Sequence, residues 1–534
     1  MPDDASDPVD PIDSRVAESI VRSEPETASD TAGNQSELTL ARQGSITFIG
    51  DVVKKSFGFI IIAIITRLVS PSIYGLFVLA TSLILFLQVF GTLGLPRAID
   101  YYVPQYLRDG EIEKARGVVV QVIVLVLGIS IAAGIGLYLA AEPIAAAFEE
   151  PALQIALILL ALALPLLAIY NALLAAFNGI KRLRYRVYVR DITRPTVRLV
   201  ATAALLLWGF GLIGVVGGYI IGLAVCVVVG IVLLVRHGRQ YAGRSMRWTP
   251  TGEVLWYSVP LAFASVIYVV LGQVDYAIVG FFLDSEDVGF YRVGYMLGEN
   301  LLIFFAALAP VFKPLIAEER TDDGAVRSRY RTATRWAIGF TLPLLLVLTL
   351  GATTYLALVF TPQYVVAAPV VAILAAGYVI SIVGGGPGGA LLQGLGYSRL
   401  VFVNTGLLFV SNIAISIALV PRIGFVGAAV GSASALAIAG VAALVELYYF
   451  RGIHPFTYDL GRVFAAAVPA ALAGGLVVLL IDSLLLTGVV LPVAVLGTYA
   501  IALGALGGVT DADVAVAAEI DPRLERRLRQ LQFG

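Results

Sequence analysis

Residues Gly44 to Ser70 read GSITFIGDVVKKSFGFIIIAIITRLVS. A helix needs about 20 residues to cross the hydrocarbon core of a bilayer. The uninterrupted apolar run, Phe57 to Ile65, is too short, so a crossing here must take in Asp51, Lys54 and Lys55. At i, i+3 and i+4 these three share one helical face. A charge inside a span costs about 3 kcal/mol on insertion scales, and such residues normally face a water-filled cavity or the inside of a bundle. The alternative is snorkelling, in which the lysines reach back to the interface and pair with Asp51. Lys55 lies roughly 13 Å in from Ile46 at 1.5 Å per residue, which favours the cavity. A buried face with net positive charge points to an anionic ligand.

The composition agrees with a membrane setting. Of 534 residues, 59% are hydrophobic and 14% charged, the balance of a polytopic membrane protein rather than a soluble domain. The single cysteine, Cys226, excludes a disulfide within the chain and a multi-cysteine metal site. The two histidines, His237 and His454, fall in expected loops, which argues against a histidine-based centre within the membrane. A net charge of −1 says little about partners. No G-x-x-x-x-G-K-[ST] loop is present to bind a nucleotide, and no large polar outer loop carries the acids of a membrane glycosyltransferase. The expectation is therefore a protein that is not an enzyme, needs no cofactor or metal and binds no nucleic acid.

Hydropathy predicts about fourteen transmembrane helices. Their approximate limits are 46–69, 74–95, 117–140, 152–177, 191–209, 211–235, 255–282, 288–314, 332–359, 365–395, 398–420, 424–450, 462–482 and 488–508. The basic residues concentrate in alternate loops, such as the one with Lys181, Arg182, Arg184, Arg186 and Arg190 and the one with Arg320, Arg327, Arg329 and Arg331. The opposite loops hold only Arg422, with Arg67 at the outer end of the first span. By the positive-inside rule the basic loops and both termini are cytoplasmic. No signal-peptide pattern precedes the first span, which is expected to remain as an anchor.

The chain also repeats itself. At an offset of 214, Gly75 matches Gly289, Pro96 matches Pro310 and Asp109-Gly110 matches Asp323-Gly324. At 213, Gly211-Leu212-Ile213-Gly214 matches Gly424-Phe425-Val426-Gly427, and Gly218 matches Gly431. Six spans per repeat give both halves the same orientation, with a pseudo-two-fold axis along the membrane normal. The expected organisation is an acidic, disordered cytoplasmic tail (1–43), a six-helix bundle (44–236), a cytoplasmic linker (237–254), a second six-helix bundle (255–450), two extra spans (451–510) and a cytoplasmic tail (511–534).

Further charges fall inside the second half. Arg292 and Glu299, seven residues apart in span 8, lie near one face, and Glu299 is the deepest acid by helix rise. Span 7 adds Gln273 and Asp275. Asp275 and Glu299 are candidates for coupling to a cation or balancing charge; the alternative is a structural pairing with Arg292. Gly384-Gly385-Gly386-Pro387-Gly388-Gly389 in span 10 predicts a break, with Gly386 and Pro387 as a hinge; close packing of small residues is the other reading. Arg190, Arg194 and Arg198 form an i, i+4, i+8 stripe entering span 5, expected at the inner interface, with phosphate contact the lesser alternative.

Particular residues carry a family likeness: Thr66-Arg67-Leu68-Val69-Ser70-Pro71 with Tyr74-Gly75, then Gly94-Leu95, and in the second half Phe360-Thr361-Pro362-Gln363-Tyr364 and Gln393-Gly394. With the span count and the repeat, the chain over about residues 40–510 resembles O-antigen-type polysaccharide flippases of the multidrug/oligosaccharidyl-lipid/polysaccharide exporter superfamily. The resemblance implies an all-α, MATE-like membrane protein in which two bundles form a V and alternate between inward-open and outward-open. It implies a cell-membrane flippase for a polyprenyl- or dolichyl-phosphate-linked oligosaccharide, used for surface polysaccharide or glycoprotein. Implied partners are that glycolipid, membrane lipids, and membrane glycosyltransferases or an oligosaccharyltransferase. On this reading Lys54, Lys55 and Arg292 make a cationic substrate cavity, tempered by Asp51. A MATE-type drug/cation antiporter and a non-transporting scaffold of a glycan assembly complex are the alternatives.

Overall fold

The computed structural model describes residues 56–237, 245–300, 320–384 and 386–508, together with Ile316. Among the described residues every regular element is helical. The first half runs α1 (Ser56–Leu68), α2 (Pro71–Thr92), α3 (Pro96–Arg108), α4 (Ile112–Ala147), α5 (Pro151–Ala161), α6 (Ala163–Gly179), α7 (Leu183–Val187), α8 (Arg194–Leu207) and α9 (Gly211–His237). The second runs α10 (Thr251–Phe282), α11 (Ser285–Glu299), α12 (Asp323–Leu350), α13 (Ala352–Tyr355), α14 (Ala368–Gly384), α15 (Gly386–Gly394), α16 (Ser398–Ile423) and α17 (Val426–Arg451). Two further helices follow, α18 (Tyr458–Leu480) and α19 (Leu484–Ala505).

Nine of the described helices are long and apolar enough to cross a membrane, and α5 with α6, bent by 42°, makes a tenth. The other four expected spans meet shorter described helices. α1 begins at Ser56, α11 ends at Glu299, α8 has 14 residues and the apolar part of α10 is Val269–Phe282. Local chemistry explains the helix limits. The Ser70 hydroxyl accepts the Ile73 N–H at 3.4 Å and Pro71 opens α2, the expected pairing at a helix N-terminus. Within the spans, hydroxyls such as Thr66 and Thr81 donate to carbonyls one turn back, at 2.9 and 2.7 Å, which satisfies them within their own helix.

The internal repeat is visible as paired contacts. A Cβ at Gly75 would fall on the Ser285 carbonyl, and one at Gly289 would lie 2.5 Å from the Pro71 carbonyl. Ser285 is Pro71 plus 214, and Gly289 is Gly75 plus 214. Each glycine therefore meets the counterpart of what the other meets, the reciprocity a two-fold axis demands. Away from that axis, Gly218 packs on Thr202 and Gly431 packs on Ser416 in the same way, so the pairs α8–α9 and α16–α17 are equivalent.

The halves touch at both ends of the seam. At the α2 and α11 N-termini, the Ser72 and Ser285 hydroxyls lie 3.0 Å apart and the Ser285 N–H donates to Glu150 at 3.0 Å. At the end bearing the basic loops, Arg97 donates to the Leu261 carbonyl at 3.1 Å and Tyr101 stacks on Tyr257 at 4.4 Å. Gly94, with φ of +68°, packs there against the Ser258 carbonyl. The seam is thus pinned at two levels, with space between them.

In span 10, α14 ends at Gly384 and α15 starts at Gly386, with Gly385 outside the described residues; both fall within one span-length apolar stretch, Pro362–Gly394. Gly386 and Pro387 are helical in backbone. Gly377 and Gly384 pack directly on Ala433 and Gly440 of α17, so these small residues also serve close helix packing.

Candidate functional site

Between the two pinned levels lies a cavity of about 350–430 Å³ per chamber, and its larger chamber, about 430 Å³, gathers residues from six helices. α1 contributes Gly58, Ile61 and Ile62; α2 contributes Tyr74 and Phe77; α8 contributes Arg194 and Arg198. Tyr219 of α9, Tyr276 of α10 and Arg292 of α11 complete it. Three guanidinium groups line the chamber and no described carboxylate does.

Aromatic rings hold these cations in place. Arg194 lies over Tyr170 at 4.9 Å, and Arg198 lies over Tyr219 at 5.1 Å and Phe77 at 5.5 Å. Arg292 lies over Tyr276 at 5.6 Å and donates to its hydroxyl at 2.7 Å. Cation–π contact stabilises a desolvated guanidinium by about 2 kcal/mol without neutralising it. The Arg198 Nε is buried and has no hydrogen-bond partner among the described residues. Such a group is costly unless a ligand meets it.

The route by which Arg194 and Arg198 enter the cavity is local. Tyr188–Thr193 is a π-helical turn, and Pro195 opens the α-helix that follows. The extra residue per turn rotates the helix face. Arg190 pairs with Asp191 at 2.7 Å, while Arg194 and Arg198 face inward. The stripe expected at the interface is therefore divided, and two of its members line the chamber.

The acids differ from expectation in two respects. Asp275 does not pair with Arg292. Its Oδ2 accepts from the Tyr291 hydroxyl at 2.6 Å and the Ser432 hydroxyl at 2.5 Å, and Asn412 donates to Ser432 at 2.9 Å. The rings of Tyr276 and Tyr291, 5.7 Å apart edge to face, stand between the acid and the arginine. Nor is Glu299 the most buried acid: its side chain is 40% exposed and 4.0 Å from Arg292, whereas Asp275 is 5% exposed. Depth along a helix axis does not say which way a side chain faces. Asp51, Lys54 and Lys55 lie outside the described residues.

The repeat relates the two charged clusters. Arg198, Tyr219 and Phe77 correspond to Asn412, Ser432 and Tyr291 at offsets of 214, 213 and 214, and Ile61 corresponds to Asp275 at 214. Equivalent positions thus hold a cation among aromatics in one half and an acid among hydroxyls and an amide in the other. Tyr219 and Tyr276 escaped the sequence reading, and Tyr74 entered it only as part of the family likeness, because aromatic residues in apolar runs give no signal of their own.

Comparison with known proteins gives this architecture a family. The family model for polysaccharide biosynthesis proteins matches residues 64–369. The chain belongs to that family. Among solved structures, it is similar to the lipid II flippase MurJ in an inward closed conformation, with a TM-score of 0.69, 15% identity, and coverage of 86% of this chain and 98% of that one. It is also similar to an inward-facing multidrug resistance MATE transporter (TM-score 0.61, 12% identity, 73% and 92% covered). A MATE transporter from Vibrio cholerae aligns at TM-score 0.52 and 18% identity, over 78% and 98%. These likenesses establish the fold. No curated protein sequence matches significantly.

Proposed function

We propose that this chain is a flippase that moves a polyprenyl- or dolichyl-phosphate-linked oligosaccharide from the cytoplasmic to the outer leaflet by alternating access, for surface polysaccharide or glycoprotein synthesis. The observation that carries this reading is the chamber with Arg194, Arg198 and Arg292 and no described carboxylate. A phosphate head group supplies the counter-charge that Arg194 and Arg198 lack and that Arg292 has only from Glu299 at 4.0 Å, and Coulomb attraction there exceeds that in bulk water. A drug/cation antiporter would place acids in this position, and a scaffold would have no use for an arginine whose buried Nε, in Arg198, has no hydrogen-bond partner among the described residues.

Lys54 and Lys55 belong to the same proposal. They join the proposal on their sequence alone, as cations for the same anion, with Asp51 as the tempering acid. Asp275 and Glu299 are the proposed coupling or charge-balancing acids, and Gly386 with Pro387 the proposed hinge. The basic loops and both termini are assigned to the cytoplasm on charge alone.

The test is transport of glycolipid to the outer leaflet in a strain lacking the native protein. Arg198→Ala and Arg292→Ala, each inserted and accumulated at the normal level, should each lower the rate by about 10- to 100-fold, as the loss of a charged hydrogen-bonding partner implies. Full transport by both variants would overturn the assignment of the cavity.

A further inference from the structure

A second chamber of about 350 Å³ adjoins the arginine chamber and shares Leu85 and Gln273 with it. It extends along α10 toward Ala262, the end near the linker. Its chemistry is different. Gln88 of α2, Asn171 of α6 and Gln273 of α10 are the amide residues that line it. Among the described residues none of these three side chains makes a hydrogen bond to the protein. Arg97 at its margin is turned onto the Leu261 carbonyl, and Thr92 is satisfied by the Gln88 carbonyl at 3.1 Å.

Amides in the middle of apolar spans carry a desolvation cost, and in membrane proteins such residues mark a pathway or a site. Each of the three offers donors and an acceptor without net charge. That set suits vicinal hydroxyls and acetamido groups, and does not suit a phosphate, a cation or a lipid tail. We infer that the amide chamber is a glycan subsite: it takes the first sugar of the head group while the phosphate rests among Arg194, Arg198 and Arg292. This rests on the reading of the arginine chamber as a phosphate site. The two chambers are contiguous because phosphate and first sugar are covalently joined. The amide side chains, not the arginines, then select for the sugar.

The experiment uses the purified full chain and two short-chain probes of equal charge, farnesyl phosphate as its methyl ester and farnesyl phosphoglucose, in equilibrium binding by microscale thermophoresis. The wild type should bind the glucoside about tenfold more tightly, the effect of one or two added neutral hydrogen bonds. Gln88→Leu with Asn171→Leu, which touch only the amide chamber, should bring that ratio close to one and leave farnesyl phosphate affinity within twofold. The exchange Gln88→Asn with Asn171→Gln, which restores both amides, should recover part of the preference and exclude a folding defect. Arg198→Ala should weaken both probes equally and keep the ratio. An unchanged ratio in the double leucine variant, or no preference in the wild type, overturns the glycan subsite. Equal binding of farnesyl phosphate by wild type and Arg198→Ala overturns the phosphate reading instead, and failure of the wild type to bind either probe overturns both.

Discussion

The reciprocal glycine contact predicts a defined conformational effect. Gly75→Val places a Cβ on the Ser285 carbonyl, and the obstacle is backbone, which cannot rotate aside as a side chain can. The seam between α2 and α11 must then separate by more than an ångström at this level, or stay open. Overpacking of this kind costs about 1–3 kcal/mol, so closure of the seam should become about 5- to 150-fold less favourable. The readout is a disulfide between Ser72→Cys and Ser285→Cys, whose wild-type hydroxyls are 3.0 Å apart, close to the reach of a cystine. The buried Cys226 is replaced by alanine so that only the reporters react. Oxidation should cross-link the reporter pair rapidly in the parent and far more slowly with Gly75→Val. Gly289→Val should behave alike, because the contact is reciprocal. Gly475→Ala, where a Cβ meets nothing within 4 Å, should leave the rate as it is. Equal cross-linking in the parent and both valine variants would refute the argument that these glycines permit closure.

Two other outcomes follow from the charges. Asp275→Asn keeps the shape and hydrogen-bonding reach of the side chain but removes the negative charge, so transport should persist while its dependence on ion gradients falls at least tenfold; an unchanged dependence, measured with imposed gradients in vesicles, makes the acid purely structural. Lys54→Ala with Lys55→Ala should abolish translocation of glycolipid while the protein still inserts, whereas Lys→Arg at both positions should keep much of the activity; full transport by the double alanine variant would remove the lysines from the cavity.

The fold was largely legible because its information is one-dimensional. Hydropathy gives spans, and glycines at constant offset give the repeat, since Gly75, Gly218, Gly289 and Gly431 are each required by a backbone or side chain within contact. The site was legible only where an unusual residue sat in an apolar run. Arg292 could be placed in this way, and so could the presence, though not the partners, of Asp275. The partners were illegible because Ser432 and Asn412 are more than 130 residues away and are ordinary residues in their own helices. Arg194 and Arg198 were seen but placed at the inner interface, with phosphate contact the lesser alternative, because they stand where span 5 begins; the π-helical turn at Tyr188–Thr193 lies between Arg190 and the two that line the chamber. Periodicity cannot reveal one extra residue in a turn. The three cavity amides carried no signal stronger than polarity, and only the shared cavity wall unites them.

Charge sets the two halves apart where their folds agree. A pseudo-two-fold axis makes the surroundings of Arg198 and Asn412 the same in backbone, and the glycine contacts at Gly218 and Gly431 show that the helices approach equally closely. The difference therefore lies in side chains alone. In the first half, the cation rests on rings of Tyr219 and Phe77, which do not neutralise it. In the second half, the acid is bound by two hydroxyls, which do not neutralise it either. Had Asp275 met Arg292 directly, the pair would have satisfied itself and left little for a ligand to do. The Tyr276–Tyr291 pair prevents this, since Tyr291 holds the acid, Tyr276 holds the arginine, and the two rings pack edge to face. Opposite charges kept apart by two rings still interact, by about 1–2 kcal/mol at an effective dielectric near 20. Neutralising the acid thus strengthens the field that Arg292 presents to an anion, and filling the arginine chamber with an anion favours a cation at the acid by the same amount. Under the proposed function, this asymmetry of charge on a symmetric frame would give the two sites a means of sensing one another.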